Sequence, residues 1–213
     1  MLSTEQIENN KIEFLNLIQS ITREGAEIER LCKKLVNSDF FTAPASTKYH
    51  GSYAGGLCEH SLNVYYNMKN IVNLKPTFDE CCYNEDTLKI VGLLHDISKM
   101  NIYEQTSKNV KVYDPEGSRY DDLGNFYWKT ENSYKIRERK FVYGSHEMNS
   151  EYIVRQFIPL SLDESVAILH HMGSMSWDSA KDNIGDVFNQ YSLALLVYMA
   201  DMMSTYIDER NLD

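Results

Sequence analysis

Apolar residues recur three or four positions apart along most of the chain, which is the period of one face of an α-helix. Ser3 and Gln6 have the spacing of a capping box, so they predict the start of a first helix. Its apolar face is expected to contain Ile7, Phe14 and Ile18. This pattern is typical of a helix that packs one face on a core and exposes the other.

The same spacing predicts a second helix, with Ile28, Leu31 and Leu35 on its buried face. The segment 41–56 contains Pro44 and several glycines, so it is expected to be a loop. From residue 57 onward helical spacing returns, and it predicts a third helix.

Further helices are predicted downstream. One covers about residues 85–97, and another begins near His146. Ser161 and Glu164 form a second predicted capping box, which opens the next helix. The last helix is expected to run from about residue 191 to residue 210.

Two segments depart from the helical pattern. Residues 101–143 alternate polar and apolar positions at 111–113 and 125–129, between turn residues, so a β-hairpin or a long flap is expected. A polar segment with Trp177 and Gly185 is expected to be a loop. The predicted fold class is therefore all-α, a helical bundle with a small β-hairpin or flap insertion around residues 101–143.

Length and composition suit one globular domain, because 213 residues with a hydrophobic fraction of 43% can bury a single core. The net charge of −10 disfavours a broad nucleic-acid-binding surface, which is usually basic. No secretory signal is visible, so a cytoplasmic location and free thiols are expected. The apolar run 193–203 is shorter than a membrane span. The four cysteines are Cys32, Cys58, Cys81 and Cys82.

Polar side chains that commonly bind metal ions interrupt the apolar helical segments. They are His60, His95, Asp96, His146, His170, His171 and Asp201. Asp201 is the one charged residue in the run 193–203, and an ionised carboxylate is costly to bury without a partner. A shared cluster of metal ions would give partners to all of these groups.

His95 and Asp96 are adjacent, and consecutive helical residues point about 100° apart. They can bind metal together where their helix ends, and residues 98–103 are expected to form such an end. A carboxylate has two oxygens and can bridge two ions. Asp96 is therefore the expected bridge, with His95 bound to one ion.

In this order, His60, the pair His95-Asp96 and Asp201 resemble the HD-domain superfamily of metal-dependent phosphohydrolases. The string HDISK, which begins at His95, is close to the HDIGK form that is common there. The segment 44–61 is similar to the approach to the first ligand helix in HD proteins of the exoribonuclease-associated kind.

The resemblance covers about residues 40–210. It implies one HD-like domain over residues 1–213, with N-terminal helices in 1–40 and an HD core, including the flap, in 41–210.

The resemblance also implies a set of metal ligands. The first ion would be held by His60, His95, Asp96 and Asp201. Asp96 would bridge to a second ion, completed by His146 and by His171, whose spacing from the preceding aliphatic residue matches the family. Met172 stands where some two-metal members have a second histidine, so the ligands of the second ion stay open and His170 is a further candidate.

Imidazole and carboxylate ligands suit one or two divalent ions of Mn, Fe, Co, Ni or Zn better than Mg or Ca. Two such ions activate a water and hold both oxygens of an in-line displacement, so Asp96 is the expected catalytic carboxylate. Lys99 could contact a substrate phosphate, or it could neutralise the carbonyl end of its helix. Further candidates to contact substrate are Lys48, His50, Arg137 and Arg139.

The expected function is hydrolysis of a phosphate ester of a nucleotide or nucleotide-like substrate by metal-activated water. Two alternatives stay open: a 3′–5′ exonuclease-type phosphodiesterase on oligonucleotides, and a non-catalytic nucleotide-binding metal module. The expected partner is a small phosphorylated molecule. Nucleic acid is disfavoured by the charge, no membrane contact is expected, and oligomerisation stays open.

Overall fold

The computed structural model describes residues 1–74, 83–138, 141, 144–175 and 183–209. Its α-helices are α1 (Thr4–Gln19), α2 (Ile28–Val36), α3 (Gly56–Leu74), α4 (Glu85–Leu94), α5 (His146–Arg155), α6 (Leu162–His170), α7 (Ile184–Gln190) and α8 (Ser192–Met203). Short 3₁₀ turns follow α4 at Ile97–Lys99 and α6 at Gly173–Met175, and a π-helical turn, Ser204–Asp208, continues α8. The predicted helical fold class is confirmed.

Both predicted capping boxes are present. The Ser3 hydroxyl accepts from the backbone N–H of Gln6, and the Gln6 side chain accepts from the backbone N–H of Ser3. Ser161 and Glu164 make the same reciprocal pair at the start of α6. Each box pairs backbone donors that a helix start otherwise leaves free.

The core is built around α3, which packs against α1, α4 and α8. Gly92 lets α4 approach α3 closely, because a Cβ atom there would lie 2.7 Å from the Cα of Tyr65. A side chain at this point would meet backbone rather than a movable group. The close approach places the end of α4 beside His60 on α3.

The predicted flap is a three-stranded antiparallel sheet with strand order β1-β3-β2. Its strands are β1 (Tyr103–Tyr113), β2 (Arg119–Asp121) and β3 (Gly124–Ile136). β1 and β3 pair along their whole shared length, from Tyr103 opposite Ile136 to Tyr113 opposite Phe126. They form a long ribbon that leaves the helical body at one end.

Three predicted boundaries differ from the structure. Residues 184–190, predicted as loop, form α7, because Asn183 caps the backbone N–H of Gly185 and a helical turn follows. The helix predicted over 85–97 has α-helical geometry only to Leu94. The last helix stops at Met203 and changes to π-helical hydrogen bonding.

Some predicted features lie outside the described residues: Cys81, Cys82, Arg139, Trp177 and the end of the last predicted helix at residue 210. Cys32 and Cys58 are free thiols, as expected. Within the described ranges, no helix combines the length and apolar character that crossing a membrane requires.

Candidate metal centre

Five helices bring the predicted ligands to one place. His60 comes from the first turns of α3, His95 and Asp96 from the end of α4, and His146 from the first residue of α5. The other two are His171, which follows α6, and Asp201 on α8. All except His146 are buried, and the His146 side chain is 20% exposed.

Asp96 lies at the middle of the cluster, with a different pair of histidines facing each carboxylate oxygen. Its Oδ2 lies 3.5 Å from His95 Nε2 and 3.8 Å from His60 Nε2. Its Oδ1 lies 3.4 Å from His146 Nε2 and 3.5 Å from His171 Nε2. This is the arrangement that a bridging carboxylate requires.

Asp201 closes the side of the cluster that His60 and His95 occupy. Its Oδ1 lies 3.3 Å from His60 Nε2, and the Thr205 hydroxyl donates to the same oxygen at 3.3 Å. His60 Nε2 and His95 Nε2 are 3.4 Å apart. Without a metal ion, one of these ring nitrogens can carry a proton and donate to the other; with a metal ion, both could present lone pairs to it.

The Nδ1 atoms of the two helix-end histidines face backbone carbonyls. His95 Nδ1 lies 2.9 Å from the carbonyl oxygen of Gly92, and His171 Nδ1 lies 2.8 Å from that of Ile168. Both carbonyls are three residues earlier, in the last helical turn, where carbonyls lack helical partners. A proton on Nδ1 leaves Nε2 with its lone pair directed at the cluster.

Carboxylates face the Nδ1 atoms of the other two histidines. Glu209 Oε1 is hydrogen-bonded to His60 Nδ1 at 3.0 Å. Glu147 Oε2 lies 3.2 Å from His146 Nδ1, an ion-pair contact without hydrogen-bond geometry. Both glutamates are buried. Sequence reasoning missed them; the adjacency of Glu147 to His146 was a usable signal, whereas Glu209 is 149 residues from His60.

The cluster contains buried polar atoms that have no hydrogen-bond partner among the described residues. They are Asp96 Oδ1, His146 Nε2 and His171 Nε2, and beside them Glu147 Oε2, Glu209 Oε2 and His50 Nε2. Orphaned buried polar atoms are rare and need an explanation. In the part of the chain that the structure describes, three sets of possible ligands have their ligand atoms within 4.8 Å of each other: Asp96, His146 and His171; His60, His95 and Asp96; and His50, His60 and Glu209. The residues therefore fit one or two divalent ions with nitrogen and oxygen ligands.

Protonation equilibria in the cluster follow burial and charge. Burial lowers the pKa of His146 to about 4, against the opposing charge of Asp96. Burial also lowers the pKa of His60, but Glu209 and Asp201 outweigh it and raise the value to about 10. Burial alone would raise the pKa of Asp201, and His60 lowers it below the usual range. A metal ion at Asp201 would thus displace a proton from His60.

Lys99 points back at Asp96. Its Nζ lies 2.6 Å from Asp96 Oδ2, and its side chain is 13% exposed. Burial lowers the pKa of Lys99, and the charge of Asp96 reverses this and raises it above the usual range. Lys99 is therefore a cation at the edge of the cluster, beside Asp96.

The other predicted site residues differ in their position relative to the cluster. His50 is half-buried; its ring centroid is 4.8 Å from that of His60, and its Nε2 has no partner among the described residues. Lys48 is exposed, with its Nζ 5.7 Å from the Tyr49 ring centroid. Arg137 donates from Nε to the carbonyl oxygen of Tyr103 at 3.1 Å, at the base of the ribbon. His170 is half-buried and belongs to none of the three sets of possible ligands among the described residues.

A cleft of about 520 Å³ opens beside the cluster. Lys99, Asp201 and His50 line its inner end. This volume lies in the range of small-molecule sites, and the cleft reaches the cluster at Asp201 and Lys99.

The fold and the cluster define a helical protein with a histidine–aspartate cluster that could hold metal ions. The sequence model of the HD domain family matches residues 57–205, from the start of α3 into the π-helical turn. The chain belongs to the HD domain family, whose members are generally metal-dependent hydrolases. No solved structure matches the chain.

Proposed function

We propose that this protein is a metal-dependent phosphohydrolase that cleaves a phosphate ester of a nucleotide or nucleotide-like substrate. The observation that carries the proposal is the position of Asp96, whose two oxygens face two separate pairs of histidine Nε2 atoms. Membership of the HD domain family supports the same class of reaction.

We assign a first ion to His60, His95, Asp96 and Asp201, and a second ion to Asp96, His146 and His171. Bound divalent ions would supply an activated water as nucleophile and would polarise the phosphoryl oxygens as Lewis acids. Asp96 would bind both ions and hold them beside each other. Lys99, on the cleft side of Asp96, would contact a phosphate oxygen and neutralise its charge. A serine or cysteine nucleophile is not required.

A small substrate is favoured over a polynucleotide. The net charge is −10, and a polyanion would be repelled over its length. If oligonucleotides were substrates, KM would rise steeply with salt, whereas a mononucleotide would show a weak dependence. We further propose a cytoplasmic location and no nucleic-acid partner in the cell.

The first experiment measures metal content per chain by inductively coupled plasma mass spectrometry, on protein purified without chelators or metal-affinity resin. We expect about two transition-metal ions per chain. Content of about one would confine the proposal to the first ion, and none after reconstitution with Mn, Fe, Co, Ni and Zn would overturn it.

The second experiment measures turnover of a panel of phosphomonoesters and phosphodiesters by the metal-loaded protein. Asp96→Asn and His95→Ala should remain folded and lose activity by at least about a thousandfold. Asp163→Asn, an exposed aspartate in the first turn of α6, is the matched control and should retain activity. Tight nucleotide binding without turnover under every metal would instead support the non-catalytic binding module.

A further inference from the structure

The cleft beside the metal cluster has two chemically different parts. Its inner end holds the charged and polar groups that the proposed reaction uses, Lys99, Asp201 and His50. These groups belong with a phosphate and its metal ions. The remaining lining is apolar, and the proposed hydrolysis of a phosphate does not by itself require it.

Three methionines and two tyrosines form this apolar part. Met172 and Met175 follow α6, Met202 lies on α8, and Tyr49 and Tyr206 stand at the rim. Tyr49 is 71% exposed, Tyr206 62% and Met175 54%. Large apolar side chains exposed around one cleft indicate a ligand surface rather than core packing. Thioethers and aromatic faces adapt to flat rings of different shape.

The π-helical turn Ser204–Asp208 explains how α8 serves both parts of the cleft. Asp201 lies one turn before it and faces the metal cluster, whereas Tyr206 within it faces the cleft. Glu209, directly after the turn, contacts His60. Single π-turns inside helices occur often at functional sites, because they change the direction of the side chains that follow.

Among the residues that the structure describes, the apolar part offers few groups that could distinguish one ring edge of a ligand from another. Thr205 lines the cleft, but its hydroxyl donates to Asp201 Oδ1. The other polar groups of the described lining are the phenol hydroxyls of Tyr49 and Tyr206 and the groups at the metal end. A hydroxyl both donates and accepts, so it does not select one pattern of ring edge. Contacts in the outer part are therefore made mainly through ring faces and methyl groups, which discriminate poorly between rings of similar size.

We propose that the outer part of the cleft is a base subsite: it holds the nucleobase of the substrate against Tyr206 and the three methionines, with little discrimination among the bases. The proposal rests on the proposed function, because it makes this base part of a phosphate ester whose phosphate lies at Lys99. It predicts a phosphohydrolase that accepts several nucleoside monophosphates and discriminates against phosphate esters without an aromatic ring.

The test uses nucleosides, which carry no phosphate, so that binding is measured independently of turnover. The full chain is labelled with ¹³C at its methionine methyl groups and titrated with adenosine, cytidine and ribose by NMR. We expect both nucleosides to shift the methyl signals of Met172, Met175 and Met202, and ribose to shift none of them. Met68, fully buried on α3, is the internal control and should not move.

Two variants separate the subsite from non-specific stacking. Tyr206→Leu should weaken the binding of both nucleosides about tenfold, the range expected for loss of one stacking platform. Tyr120→Leu, at an exposed tyrosine of the ribbon, is the matched control and should leave binding unchanged. Ribose 5-phosphate should be hydrolysed at least about tenfold less efficiently than nucleoside monophosphates, and only the latter should be affected by Tyr206→Leu.

The subsite is overturned if no nucleoside shifts these methyl signals, if Tyr206→Leu has no effect, or if one base binds more than a hundredfold better than the other. Failure of the proposed function gives a different result. A protein that binds nucleosides as described but hydrolyses no phosphate ester keeps the subsite and loses the activity. A protein that hydrolyses ribose 5-phosphate as well as nucleotides keeps the activity and loses the subsite.

Discussion

Each histidine of the proposed metal centre has a polar partner at its Nδ1 atom. Two of them face backbone carbonyls of their own helix. The other two face carboxylates: Glu209 through a hydrogen bond to His60, and Glu147 through an ion-pair contact with His146. The carboxylate-oriented pair is split between the two proposed ions, since His60 belongs to the first and His146 to the second. Partners of this kind fix the ring and increase its basicity as a ligand.

This division predicts that each glutamate controls one ion. Glu209→Gln should weaken the first proposed ion about ten- to hundredfold and leave the second nearly unchanged, and Glu147→Gln should do the reverse. Stepwise metal affinities from competition with a chromogenic chelator would measure both. Glu116→Gln, on the exposed ribbon, is the control. Equal weakening of both ions by either variant would contradict the assignment of separate sites.

Whether the sequence could predict these residues depended on the separation along the chain between each residue and its partner. His60, His95, Asp96 and Asp201 stood out because each interrupts an apolar helical pattern, and the end of α4 explains how adjacent residues share a cluster. The orienting role of Glu209 has no local signature, because the residue lies in a polar C-terminal stretch and meets His60 only after folding. The assignment of all these side chains as metal ligands stays a prediction.

Helix α4 delivers two of the proposed ligands, and its position depends on Gly92. Gly92→Ala should destabilise the fold by about 1–3 kcal/mol, because the new Cβ atom would meet the backbone of Tyr65 and push α4 from α3. The same displacement should weaken metal binding, since it separates His95 from His60. Urea unfolding and chelator competition would measure the two effects.

Gly185→Ala in α7 is the matched control for the Gly92 substitution. A Cβ atom there would lie 3.3 Å from the side-chain oxygen of Asn183, which can move, and it would meet no backbone. Its effect on the free energy of unfolding should be under about 1 kcal/mol. If the two substitutions lowered the free energy of unfolding equally, the close contact between α3 and α4 would not account for the loss.

The start of α6 is held by a buried ion pair. Glu164 Oε1 lies 2.6 Å from Arg23 Nη2 and accepts from the Thr87 hydroxyl at 2.8 Å. Burial alone would raise the pKa of Glu164, but Arg23, the backbone N–H of Ser161 and Thr87 outweigh it and lower the value. The pair therefore joins α6, α4 and the segment after α1.

The lowered pKa of Glu164 determines the sign of a pH effect. A folded-state pKa below the unfolded value of about 4.3 gives stability that is present above pH 4.3 and is lost as the pH falls through the folded-state pKa. Glu164→Gln keeps the cap but leaves Arg23 unpaired, which should cost about 2 kcal/mol at pH 7. The difference between wild type and variant should shrink towards pH 3 in urea unfolding. If the difference in the free energy of unfolding did not change with pH, the variant would have lost packing rather than an ionic interaction.

Considered as a whole, the molecule is a helical body with one projecting ribbon. The hydrophobic pattern predicted both, because period-two alternation in the segment 101–143 contrasts with the helical period elsewhere. The third strand and the helix α7 were not predicted, since each is a short element specified by a few turn or cap contacts. The many aromatic residues of the ribbon suit two roles, a lid over the site or an interface between chains.

The structure favours a role outside the small-substrate site. The described residues that line the cleft all come from the helical body and its loops. At the far end of the ribbon, Phe126 is buried by its own neighbours, with the ring centroid of Trp128 5.7 Å away and Lys111 Nζ 4.5 Å from the Phe126 centroid. The ribbon thus has a small cluster of its own, separate from the helical core.

Shortening the ribbon tests this separation. Ser107 and Asn132 are opposite each other, so residues 108–131 can be replaced by an Asn-Gly turn, which suits a two-residue hairpin. We expect metal content and the free energy of unfolding of the helical body to be retained, since the ligands and cleft residues are untouched. Turnover of small phosphate esters should stay within about threefold of wild type. Loss of turnover with full metal content would instead identify the ribbon as a lid. A change in oligomeric state by light scattering, with turnover retained, would assign its aromatic surface to contacts between chains.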